Sequence, residues 1–256
     1  MRRHRRRPVP GQPAEERQRS NCGPGSLYNV LHYLEEHRGL KSKIVDNGQP
    51  LTTYDPYDPN DQDEVTAWLG WLGWAAGMAP EGGSTTSPGL REAFKKATSQ
   101  ARNQGWHAET GGISTDSTPE FGYEIAKRLQ HAPVQIWYGR YTQNADKSVT
   151  RGGGHIVTVV SAKGDLGSGK VELTLADPGR AGDHGQGDYL STQSAVRYET
   201  VTLYRMQINR KTEATETEPA SWQVHTYWRL LGPEYEASTF QFVEGLNWFE
   251  AAPPVG

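Results

Sequence analysis

Residues 21–34 read Asn21-Cys22-Gly23-Pro24-Gly25-Ser26-Leu27-Tyr28-Asn29-Val30-Leu31-His32-Tyr33-Leu34, a Gly/Pro turn running into a helical pattern. Leu27, Val30, Leu31 and Leu34 recur at three- and four-residue spacing, which places them on one face of an amphipathic helix over Ser26 to His37, with Gly39 as its expected end. Cys22, the sole cysteine of 256 residues, therefore stands where that helix begins. A helix N-terminus carries partial positive charge and unpaired N–H groups, and both favour a thiolate over a thiol. The same N–H groups can stabilise an oxyanion forming on an attacked carbonyl. Gly23 and Gly25 are expected to leave room for a substrate to approach. A lone cysteine is commonly a small buried hydrophobe with no special chemistry, so its weight depends on a base and an orienting group elsewhere in the chain.

Downstream, residues 42–62 are polar and Pro-rich and read as a surface loop. Helices are expected over Asp61 to Trp74, Pro88 to Gln104 and Thr118 to His131. From Pro133 the pattern changes to strands: Pro133 to Tyr138, His155 to Ala162, Lys170 to Ala176, Arg197 to Ile208 and Trp222 to Leu231, the second and third joined by a Gly-rich hairpin loop at 164–169. Helices first and antiparallel strands afterwards indicate an α+β domain. Residues 78–88 and 139–153 are Gly/Ser/Thr-rich or polar and are expected as mobile loops.

Among eight histidines, His155 has the most informative setting: it follows Gly152-Gly153-Gly154 and opens the apolar run Ile156-Val157-Thr158-Val159-Val160. Asp177 ends the next expected strand, in Leu175-Ala176-Asp177-Pro178. Adjacent antiparallel strands could bring its carboxylate beside His155 to hold the imidazole, giving a nucleophile, a base and an orienter. Taken singly, Asp-Pro-Gly is only a turn signal.

Together, Asn-Cys-Gly-Pro-Gly-Ser-Leu before a helix, Gly-His-Ile-Val-Thr-Val-Val, and a strand ending in Ala-Asp-Pro resemble papain-fold peptidases, in particular the bacterial group related to the bacteriocin-leader-processing peptidases, including its stand-alone domains. The resemblance spans about residues 18–180. It implies an α+β, papain-like fold with an N-terminal helical lobe (18–131) and a C-terminal antiparallel sheet lobe (132–250), behind a disordered tail over 1–17. It implies Cys22 as nucleophile, His155 as general base and acid, and Asp177 as the orienting carboxylate. It also implies a Gln ahead of the Cys as oxyanion donor. Gln18, four residues upstream, is the candidate, closer than the family commonly shows, while Gln12 lies in the tail. The implied activity is that of a cysteine peptidase acting on a peptide or protein substrate without a cofactor.

Other readings stay open. The same machinery serves amidases and acyltransferases. A non-enzymatic binding domain could use Trp68, Trp71 and Trp74 as a recognition stripe, although such a stripe equally packs a core. A metal hydrolase could draw on Asp183, His184 and Asp188, but no paired-His motif supports it. One cysteine rules out an intramolecular disulfide and is too few for a thiolate zinc site. Seven arginines in residues 1–19 give that tail +5, leaving −8 on the rest of a chain whose net charge is −3. The tail is expected to be solvated, with no nucleic-acid partner. Mean hydropathy is −0.76. No run approaches the roughly 18 apolar residues of a membrane span, and no apolar stretch follows the arginines as a signal peptide requires. The cytoplasm is the expected location, with export by a specialised secretion system as the alternative.

Overall fold

A computed structural model describes residues 22–41, 60–79, 84–118, 120–145, 149–178, 198–212, 221–232, 235 and 240–255. The tail 1–17, Gln18 and the group Asp183, His184 and Asp188 lie outside the described residues.

Helix α1 (Cys22–Arg38) forms where its apolar spacing places it, and Leu27, Val30, Leu31 and Leu34 are all fully buried. Burying four such side chains contributes about 2 kcal/mol each, which seats α1 against the sheet. Helices α2 (Gln62–Ala75), α3 (Ser87–Ala97) and the short α4 (Ser99–Asn103) follow. The start of α3 is set by Thr86, whose hydroxyl accepts from the Gly89 N–H at 3.1 Å, and by a proline in the first turn. The chain then enters strand β1 (His107–Ser114), a 3-10 turn (Thr115–Ser117) and helix α5 (Phe121–Leu129). Six more strands complete it: β2 (Val134–Gln143), β3 (Val149–Lys163), β4 (Lys170–Ala176), β5 (Tyr198–Thr212), β6 (Ser221–Leu231) and β7 (Phe240–Ala252).

All strand pairings are antiparallel, in the order β1-β7-β2-β3-β4-β5-β6, and β6 pairs back onto β7 through Trp228↔Val243 and Arg229↔Phe242. That last pairing closes β2 to β7 into a six-stranded barrel, which removes two exposed sheet edges at once. Strand β1 lies alongside β7 over Gly245 to Ala252, past the point where β6 pairs with it.

The papain-like expectation of an α+β molecule with a helical lobe and a separate sheet lobe is therefore not met. The chain is mostly antiparallel sheet closed into a barrel, with a few helices. Two features account for the difference. Strand β1 falls inside the segment assigned to helices, and it pairs along its whole length with β7, a strand the sequence pattern did not single out. The helices also have no core of their own: Leu27, Trp68 and Phe94 share one buried cluster with Ala108, Ile156 and Phe249 of the sheet. A second cluster, including Ile136, Tyr138, Val157, Leu173, Leu203 and Trp228, packs together with Phe121 and Ile125 of α5. The expected loop over 139–153 is largely strand, since β2 runs to Gln143 and β3 starts at Val149. The tryptophan stripe of α2 divides along its length: Trp68 is fully buried, Trp71 partly buried, and Trp74 is 63% exposed with the Lys96 ammonium 5.1 Å above its ring. No helix among the described residues is long and apolar enough to cross a membrane.

Candidate active site

Cys22 is the first residue of α1, where the amide N–H groups of the opening turn have no partner within the helix. Two glycines control how that turn is approached. A side chain at Gly23 would run into the Thr85 hydroxyl, and one at Gly25 would press to 2.9 Å from Cβ of Pro178. The space expected for a substrate at these glycines is thus taken up by the protein's own segments. At Gly25 the contact brings the Asp177-Pro178 segment against the helix start.

His155 lies in β3, opposite Tyr138 of β2. On its other side β3 pairs with β4 through Thr158↔Ala176. Continuing that register by one residue sets Asp177 across from Val157, on the same face as His155 and diagonal to it. The diagonal is closed by a short hydrogen bond: His155 Nε2 lies 2.7 Å from Asp177 Oδ1. The Asp177 side chain is fully buried and that of His155 is 12% exposed, so the pair operates in a low-dielectric setting where its attraction is little screened. The other face of the imidazole is bounded by Tyr138, whose ring meets it edge-on at 75° with centroids 5.6 Å apart.

Cys22, at the start of α1, stands beside His155, close enough for the sulfur and the imidazole to shift each other's titration. Burial pushes the Cys22 thiol up. The His155 hydrogen bond and positive charge, together with hydrogen bonds from the Ile156 and Gly23 backbone N–H groups, outweigh that and hold it below its ordinary value. Burial likewise pushes His155 down, but the hydrogen bonds and negative charges of Asp177 and Cys22 overcome it and raise the imidazole to about 9. The two shifts run in opposite directions, and both favour the thiolate beside the imidazolium over the neutral pair. Tyr138 is pushed up to about 12, first by burial and then by the charge of Asp177, so it stays a neutral phenol.

The structure thus brings together Cys22, His155 and Asp177, residues separated by more than 130 and by 22 positions along the chain. Gln18 falls outside the described residues. Among the described residues no group of three His, Cys, Asp or Glu side chains is arranged to hold a metal ion. Sequence reasoning missed Tyr138, since its place beside His155 depends on the β2–β3 register. No known protein family, curated protein or solved structure matches the chain, and the site is read on its own geometry.

Proposed function

We propose that the chain is a cysteine peptidase that cleaves peptide or amide bonds by acyl transfer through Cys22. The observation that carries this reading is the 2.7 Å His155–Asp177 hydrogen bond beside Cys22 at the start of α1, with the thiol lowered and the imidazole raised. The Cys22 thiolate attacks the carbonyl carbon, and the carbonyl electron pair moves onto oxygen as an oxyanion. N–H groups at the start of α1 face that charge, with the Gln18 side-chain amide as the expected second donor. As the tetrahedral intermediate collapses, His155 gives its proton to the leaving amine and a thioester to Cys22 remains. His155 then takes a proton from water, the hydroxide attacks the thioester, and the thiolate is released with the carboxylic acid. Asp177 holds the imidazole and balances its charge throughout. A reducing compartment such as the cytoplasm would keep the lone thiol free for this chemistry.

The test is alkylation of Cys22 by iodoacetamide near neutral pH, followed by mass spectrometry, together with cleavage of a peptide library by wild type and Cys22→Ala. Fast alkylation that slows in His155→Ala, with cleavage lost in Cys22→Ala, is the expected result. A free-thiol rate unaffected by His155→Ala would overturn the reading. Cleavage that survives alkylation but is lost with a chelator would place the chemistry elsewhere, and acyl transfer to an added amine without net hydrolysis would redirect it to transferase.

A further inference from the structure

Three neighbouring strands carry one polar side chain each at the same level, all fully buried: Thr158 on β3, Gln135 on β2 and Asn247 on β7. They are direct register partners, Thr158 opposite Gln135 and Gln135 opposite Asn247, and they lie beneath the first turns of α1. Neighbouring positions on these strands are apolar and join the two hydrophobic clusters. A purely apolar row would bury as well and avoid the cost of desolvating amides, so the row calls for a reason beyond packing.

The connections supply one. Gln135 Nε2 donates to the Gly23 carbonyl at 3.5 Å, and Gln135 Oε1 accepts from Asn247 Nδ2 at 3.1 Å. Asn247 Oδ1 in turn accepts from Ser87 Oγ at 2.7 Å and from Arg91 Nη1 at 2.9 Å. Gly112 of β1, opposite Asn247, has no side chain to obstruct the space where the Arg91 guanidinium lies. Beside this chain, Thr158 exchanges a 2.8 Å hydrogen bond with Ser26. Gly23 also follows Cys22 directly in the first turn of α1, where backbone N–H groups have no partner within the helix. Its carbonyl is thus held from below while its N–H lies at the open end of the helix beside Cys22.

We propose that Gln135 and Asn247, anchored by Arg91 and Ser87 of α3, are positioning residues that set the Gly23 backbone so that its N–H supports the Cys22 thiolate. This rests on the reading of Cys22 as nucleophile. An Arg-fixed Asn orients the Gln amide so that nitrogen, not oxygen, faces the Gly23 carbonyl, and the guanidinium charge polarises the chain of amides in that direction.

The experiment is the pH profile of Cys22 alkylation by iodoacetamide in the full chain, with thermal melting measured alongside. Gln135→Met keeps the volume and removes both hydrogen bonds. Ser87→Ala, at the partly exposed outer end, is the milder variant that keeps the question answerable if the buried one folds poorly. Val171→Ala, in the second cluster and remote from Cys22, supplies a matched loss of stability. Gln135→Met is expected to raise the midpoint by about half to one pH unit, a roughly 3- to 10-fold slower reaction on the acid side. Ser87→Ala should move it less in the same direction, and Val171→Ala should lower the melting temperature without moving it. An unmoved midpoint in both Gln135→Met and Ser87→Ala, with melting lowered as in Val171→Ala, overturns the proposal and leaves the nucleophile standing. An ordinary free-thiol midpoint in the wild type overturns the nucleophile itself.

Discussion

Replacing Asp177 by Asn keeps the shape of a fully buried side chain and removes its charge. In the native protein His155 stands at about 9 against an ordinary 6.5. That difference corresponds to roughly 3 kcal/mol in favour of imidazolium. Burial opposes the shift, and Asp177 and Cys22 together produce it, with the Asp177 hydrogen bond first among the raising causes. Losing the Asp177 charge is expected to leave the thiolate–imidazolium pair roughly 10-fold less populated, about one pH unit. An Asn has a further effect, because its amide N–H can donate to Nε2. The imidazole proton is then held on the other ring nitrogen, facing the thiol, and the base is lost. The assay is Cys22 alkylation as a function of pH, read by intact mass. The midpoint should rise by about one unit, and the rate well below it should fall by about 10-fold. A midpoint matching wild type in a folded Asp177→Asn protein would refute the claim that the carboxylate sets the charge state of the site.

Three more outcomes follow from the same geometry. Cleavage measured as kcat/KM should be bell-shaped: it climbs as pH rises through the lowered value of Cys22, and it falls as pH rises through about 9, where His155 gives up the proton the leaving amine needs; a profile still rising at the alkaline end would contradict this. Gly25→Ala forces a methyl to 2.9 Å from Pro178 and should slow alkylation by separating Asp177 from the helix start, at a cost of about 1–3 kcal/mol read by denaturant unfolding; an unchanged pH profile would show the approach is not needed. Trp68→Ala should cost about 3–5 kcal/mol by the same measurement and Trp74→Ala under about 0.5 kcal/mol, since one ring is fully buried and the other 63% exposed; equal costs would contradict the divided stripe.

The placement of the candidate residues was legible in the sequence because it is written in short range. A Gly/Pro turn before a 3.6-period apolar pattern locates Cys22, and two strand patterns joined by a Gly-rich loop locate His155 and Asp177. What failed was long-range. Residues His107 to Ser114 include Gly111, Gly112 and four polar side chains, with little β-propensity, and they become strand because β7 offers eight paired positions. Closure of the barrel rests on Trp228↔Val243 and Arg229↔Phe242, and no pattern within either strand announces its partner. The papain-like expectation came from the resemblance at the site, and a site resemblance does not dictate the architecture around it. Gln135 was hidden for a related reason: inside Pro133 to Tyr138 it looks like one polar residue in a strand, and only its partners on β7 and α1 give it a task.

Strand β7 belongs to several structures at once. It borders β2 on one side, and on the other it gives its first part to β6 and its remainder to β1. The chain of amides beneath Gly23 crosses the sequence in two steps of 112 residues each, Gly23 to Gln135 and Gln135 to Asn247. During synthesis the cysteine emerges long before either support exists. A ribosome-bound chain lacking β7 would carry its thiol on a helix with no barrel seam and no Asn247 to anchor the support of Gly23, which is completed only when this strand docks.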